Sequence, residues 1–397
     1  MARTLGAWHV AVPLVAAAAY GLAAPGASYV LEDEQFFRIV PGEPSLGVYS
    51  QPEVGLHALW LERAFLYMDG NPTWRPVIGS LWVLVRELTG STAAPVLRGL
   101  GVLLLMLVVG GLLAGGRAAR APGGWMMAVA LALSVHPNTP YTVGWIADGY
   151  DLAGAAALAL ALAVVGVPEP SRLRLAAYAV LIFLACASKE VLCLSLVAGC
   201  LLHVAARRWR SAWSVGLSGA AGTAAFFMVY LWKLQGESRP ATELSADGVP
   251  AALGLMYGAF FAPAWSSLVH PVPGLGFDVV VGGAIVVLAF VGFAVGVRRG
   301  DVALATLGAG VVAAFVILLP AAFGTVALNR IPLRYTFVPL VALLAIWMHA
   351  GGIWARVPYR QLVGVVALLS AMMVSPRTVQ NLRAQASTLE VWRLDYE

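Results

Sequence analysis

Basic residues recur at every second gap between the long apolar runs of this chain: Arg117/Arg120, Arg172/Arg174, Arg207/Arg208/Arg210, Arg298/Arg299 and Arg356/Arg360. A soluble fold has no use for that alternation. A chain threading a bilayer does, because Lys and Arg are retained in the short loops on one side. The composition agrees, with 60% hydrophobic and only 11% charged residues, against roughly 25% charged in ordinary soluble domains. The arginines lie in twos and threes rather than in one patch, so they report topology and not a nucleic-acid partner.

A hydrocarbon core takes about 20 apolar residues per helix. Spans are expected near 7–24, 95–114, 123–140, 151–167, 173–188, 190–206, 212–232, 279–297, 301–320, 335–354 and 361–375. With the N-terminus cytoplasmic, Arg3 and all the arginine groups above fall on the inner side, against only Glu169 and Asp301 as acids. Losing one span would move several groups outside. The stretch 173–206 is nearly continuous apolar sequence interrupted by Ser188-Lys189-Glu190. A single helix of that length would reach about 50 Å, well beyond the hydrocarbon core, so a tight hairpin with Lys189 and Glu190 at the outer surface is expected. The first run, "WHVAVPLVAAAAYGLAA", is expected to be an uncleaved signal anchor, since Pro25 follows the one small-residue cleavage position. "VIGSLWVLVREL" at 77–88 is too short to span and is expected to be an interfacial amphipathic helix. Cys186, Cys193 and Cys200 are expected to be buried free thiols.

The fold class is therefore an all-α polytopic membrane protein of about eleven transmembrane helices. One membrane domain covers 1–375, with outer excursions at 25–94 and 233–278, and a polar tail at 376–397 is expected outside. This topology collects the unusual residues on one face: Glu32, Asp33 and Glu34 in "YVLEDEQFFRI", then Arg75, His136, Asp148, Asp151, Lys189, Glu190, Arg330 and Arg334. The span interiors hold almost no ionisable groups. A secondary transporter places its substrate and ion sites near the midplane instead, so the pattern favours an enzyme acting on a lipid at the membrane surface.

The motifs carry a resemblance. "LEDEQFF" after the first span resembles the Asp-Glu motif in the first outer loop of GT-C glycosyltransferases, notably the protein O-mannosyltransferases. "NPTWRPVIGSLW" resembles the Arg-Pro segment of the transmembrane, tetratricopeptide-containing O-mannosyltransferases and their bacterial relatives. "ALALSVHPNTPYTVGWIADGYDLAGAAALALAL" is similar to the His-Pro loop and following span of that group, "LACASKEVLCLSLVAG" to its Lys-Glu hairpin, and "LRYTFVPLVALL" to the Arg-Tyr start of a late span. Two departures stand out. Relatives often carry an arginine where this chain has Gly149, and their tetratricopeptide repeats have no counterpart in this sequence.

The resemblance implies a GT-C-like fold and transfer of a sugar, with inversion, from a polyprenyl-phosphate or polyprenyl-diphosphate carrier. The acceptor hydroxyl would belong to a protein, glycan or lipid. An acceptor hydroxyl needs a carboxylate to take its proton, the oxocarbenium-like anomeric centre also gains from a carboxylate, and the departing phosphate calls for fixed cations. By alignment with the motif, Asp33 is the expected base, with Glu32 the alternative if the register slips by one, and Glu34 would orient the acceptor or Asp33 itself. Arg75, His136, Asp148, Asp151, Lys189, Glu190, Arg334 and Tyr335 are the expected substrate-binding set. Each has a structural alternative. Asp148 and Asp151 suit helix capping, Lys189 and Glu190 suit mutual neutralisation, and Arg334-Tyr335 suits an interfacial anchor. Asp, Glu and His together permit a divalent metal such as Mg2+ or Mn2+, which stays unassigned. Scarce lysine beside abundant arginine, alanine and glycine points to a GC-rich bacterium, and the expected location is its inner membrane, with the site on the outer face. A non-catalytic lipid-binding scaffold and a lipid-linked sugar flippase are the alternatives.

Overall fold

The computed structural model describes residues 7–22, 50, 54–61, 65–67, 71–134, 136, 138–144, 146–233, 248–261, 269–271, 277–325, 330–332 and 336–354. From the N-terminus it runs through α1 (Ala7–Leu22), the short α2 (Leu56–Leu61), β1 (Phe65–Tyr67) and β2 (Asn71–Thr73). Then follow α3 (Pro76–Thr89), α4 (Ala94–Ala118), α5 (Gly123–Ser134) and α6 (Asn138–Gly144). A 3-10 turn at Ile146–Asp148 leads into α7 (Gly149–Val165) and α8 (Arg172–Ser188). Next come a 3-10 segment (Glu190–Ser195), α9 (Leu196–Ala205), α10 (Trp209–Lys233) and α11 (Gly248–Phe261). The rest comprises β3 (Val269–Pro271), α12 (Phe277–Arg299), α13 (Val302–Thr325), β4 (Arg330–Pro332) and α14 (Phe337–Trp354). Apart from two three-residue antiparallel ladders, Phe65 opposite Thr73 and Val269 opposite Pro332, the described chain is helical.

The core centres on α7, whose sequence "GYDLAGAAALALALAVV" is apolar on every side and is buried along almost its whole length. A helix apolar all round belongs inside a bundle, and α7 packs against α4, α8 and α14. Small residues set the approach distances, as in membrane helix pairs. An added Cβ at Gly111 would come within 2.9 Å of the Ala159 Cβ, and one at Gly222 would fall on the Ala179 carbonyl oxygen. On α10 the small face (Gly216, Gly219, Gly222) meets α8 and α9, while Trp213, Leu217, Met228 and Leu231 are exposed. Large apolar side chains facing outward and glycines facing inward reverse the pattern of a soluble helix.

A chain of contacts ties the arginine-bearing turns to one end of the bundle. Gly123 abuts the His9 ring, Gly116 abuts Met348, and Gly166 abuts His349. Trp125 Nε1 donates to the Trp347 carbonyl at 3.0 Å, and His203 Nε2 lies 2.9 Å from the Val165 carbonyl. Arg207 Nη1 lies against Gly300. The start of α5 and the ends of α4, α7, α9, α12 and α14 therefore lie together, bringing Arg117, Arg120, Arg172, Arg174, Arg207, Arg208, Arg210, Arg298 and Arg299 to that end.

Among the described residues, four helices are long and apolar enough to cross a bilayer: Ala94–Ala118, Trp209–Lys233, Val279–Arg299 and Val302–Phe323. The other apolar helices are shorter, so the described residues do not reach eleven spans, and 361–375 lies outside them. Two expectations need correction. The span at 123–140 is broken, with α5 ending at Ser134 and α6 starting at Asn138; Pro137 disfavours helical geometry at His136. The second arm of the Lys-Glu hairpin starts as a 3-10 segment rather than as α-helix. The excursion 233–278 holds a helix, α11, packed on α12 and α13. The amphipathic helix at 77–88 is present as α3, and it docks on α4, α7 and α8 through buried Ile78, Trp82 and Val83.

Candidate functional site

At the end opposite the arginine turns, α3 begins where the sequence places it. Pro76 occupies the first turn, where its missing N–H costs nothing, and Arg75 is the N-cap residue, without a side-chain capping bond. Trp74 fixes the approach to this helix. Its indole is buried, donates to the Leu59 carbonyl at 3.0 Å, and stacks on Phe226 with 5.9 Å between centroids. Trp60 and Phe183 meet the same ring edge-on. Arg75 is thus presented from a rigid aromatic footing.

The Arg75 guanidinium is held on two sides. Nε donates to Glu190 Oε2 and Nη2 to Oε1, both at 2.8 Å, a bidentate fork. Its Cζ lies 4.9 Å from the centroid of the Tyr150 ring, a cation–π distance. Tyr150 is itself braced edge-on by Trp82 at 5.4 Å.

Lys189 lies between α8 and the 3-10 segment in extended conformation, φ −158° and ψ 118°. Extended backbone sends successive side chains to opposite sides, so Lys189 and Glu190 part company. Lys189 Nζ donates to Asp151 Oδ2 at 2.7 Å in the first turn of α7, with the two side chains 6% and 3% exposed. Their mutual neutralisation is therefore corrected: each pairs with a different partner, and Lys189 is buried. The capping expectation for the two aspartates is corrected too, since Asp148 occupies the N-cap position of α7 with no side-chain cap bond and Asp151 serves Lys189.

Five expected residues or their neighbours converge here from three distant segments: Arg75, Tyr150, Asp151, Lys189 and Glu190. Asp148 is buried in the 3-10 turn just before them. His136 lies in the break after α5, where its backbone N–H donates to the Leu133 carbonyl and its carbonyl accepts from Thr139. Asp33, Glu34, Arg334 and Tyr335 lie outside the described residues. Among the described residues, no group of three His, Cys, Asp or Glu side chains is arranged to hold a metal ion. The three cysteines are free, with Cys186 buried.

No family profile, no curated protein and no solved structure matches this chain. The chemistry of the cluster therefore has to be argued from its own geometry.

One feature escaped the sequence. Arg98, at the start of α4, is buried and donates through Nε to the Gly144 carbonyl at 3.1 Å, tying the end of α6 to the bundle. Its only signal was an arginine inside an otherwise apolar run. Gly149, already marked in the sequence as a departure, has a packing reason. A Cβ there would meet Ile78 Cγ1 at 2.9 Å and Trp82 at 3.3 Å, so α3 occupies the space an arginine would need. Beside it lies a crevice lined by Ile78, Trp82, Leu97, Gly101 and Val143, mostly apolar.

Proposed function

We propose that the protein is an integral membrane glycosyltransferase of GT-C type, moving a sugar from a polyprenyl-phosphate or diphosphate carrier to an acceptor hydroxyl with inversion. One observation carries the reading. Two cations and their carboxylates converge from separate segments at the bundle end away from the arginine-rich turns. By the positive-inside rule that end faces outward, where a lipid carrier in a bacterial inner membrane presents its sugar. In this scheme Asp33 takes the acceptor proton, Glu34 orients Asp33 or the acceptor, and Arg75 and Arg334 face the departing phosphate, while Lys189 stays paired with buried Asp151.

A non-catalytic lipid-binding scaffold is the second reading. It is favoured by the ion pairs themselves, since Arg75 and Lys189 are each engaged by a carboxylate. Sugar release from a panel of polyprenyl-phosphate sugars separates the two. A transferase should lose about a hundredfold or more of its rate in Asp33→Asn, with the fold intact. Turnover equal in both proteins would remove Asp33 from its role, and no turnover with any donor would favour the scaffold.

A further inference from the structure

The two ion pairs of the cluster differ in one respect that bears on ligand binding. Lys189–Asp151 is closed off, at 6% and 3% exposure, whereas Arg75 and Glu190 retain 17% and 16% and lie at the rim. Glu190 engages the Nε–Nη2 edge of Arg75 through both carboxylate oxygens. That edge is one of the two a guanidinium offers to a phosphate, because carboxylate and phosphate oxygens match the same fork. We propose that Glu190 is an internal place-holder in an anion subsite, and that a lipid phosphate binds Arg75 by exchange with it.

Charge requires the exchange. Arg75 and Lys189 are set against Glu190, Asp151 and Asp148, so the described cluster is not cationic as it stands. A phosphate added beside an unmoved Glu190 would put two anions on one guanidinium in a partly buried site, where like charges repel strongly. The backbone allows Glu190 to leave. It opens a 3-10 segment directly after an extended residue, a geometry often found at hinges, and Lys189 is anchored independently to Asp151. Arg75 keeps its station during the exchange because Tyr150 lies under it and Trp74 is locked behind it.

The proposal rests on a lipid phosphate being the ligand at this end, and not on the transfer step. The test is binding of geranylgeranyl monophosphate, with geranylgeraniol as control, to the purified full chain in detergent. Glu190→Gln should bind the phosphate lipid about tenfold tighter than the unmodified protein, corresponding to about 1.4 kcal/mol, with the alcohol unchanged. Arg75→Gln should remove the phosphate-dependent part in both backgrounds. Equal or weaker binding by Glu190→Gln overturns the place-holder. Should that variant not fold, Glu190→Asp, whose shorter arm loosens the fork, should gain a few-fold, and no gain overturns the proposal. A gain without sugar turnover would keep the place-holder and sink the transferase; no phosphate preference in any protein would sink both the place-holder and the lipid-phosphate reading.

Discussion

Lys189 is a buried cation whose stability depends on one partner. Its ammonium is buried against Asp151 at 2.7 Å, and removing one member of such a pair leaves a charge with no compensation. Lys189→Met is therefore expected to cost about 3–5 kcal/mol, read as a lower midpoint in thermal unfolding of the detergent-solubilised protein. Adding Asp151→Leu should recover most of that loss, because a well-packed apolar pair replaces a buried ion pair at little net cost. A double variant no more stable than the single one would show that the pair is not what holds α7 to α8. The sequence made Lys189 and Glu190 conspicuous at this scale, but their adjacency suggested that they served each other. Only the extended backbone at Lys189 shows that they face opposite ways.

Among elements, the crossing of α8 and α10 depends on a stripe of small residues three apart. Gly219 lies against Leu196 and Tyr178, and Gly222 lies directly on the Ala179 carbonyl. A backbone oxygen cannot swing aside as a side-chain tip can, so any side chain at 222 must force the helices apart. Gly222→Leu is expected to cost several kcal/mol, in the range of the larger overpacking penalties. The sign would be loss of the monodisperse species in size-exclusion chromatography, whereas Gly124→Ala, with nothing within 4 Å of the added atom, should be neutral. An intact profile for Gly222→Leu would contradict the close approach. Element positions were readable beforehand because hydropathy is a local property. Element ends were less so. The break at 135–137 and the 3-10 start at Glu190 shorten two expected spans, and α11 was hidden inside a stretch assigned to an outer loop.

For the whole molecule, orientation is the property to test. Single cysteines replacing Arg120, Arg174 or Arg299, in a background lacking Cys186, Cys193 and Cys200, should react with a membrane-impermeant maleimide only after the cytoplasmic side is opened. A cysteine at Thr92 should react from outside in intact cells. All four reporters sit at helix ends or in turns, so labelling reads the side and not burial. Arginine positions labelled from outside would invert the topology and remove the cluster from the outer leaflet.

The order of the helices, and the gathering of arginines at one end and acids at the other, were set by the sequence alone. Hydrophobicity and charge act on each segment against its solvent, and every such segment carries its own signal. The partners within the cluster were not. Arg75 and Glu190 are 115 positions apart, and Lys189 and Asp151 are 38 apart. A charge in the sequence shows that a counter-charge is needed, and several acids on the same face met that need equally well. The choice was made by packing, through the seat of Trp74 among Phe183 and Phe226, the docking of α3 on Gly149, and the turn of the chain at Lys189. Those are relations between segments distant in the chain, and they exist only once the helices have come together.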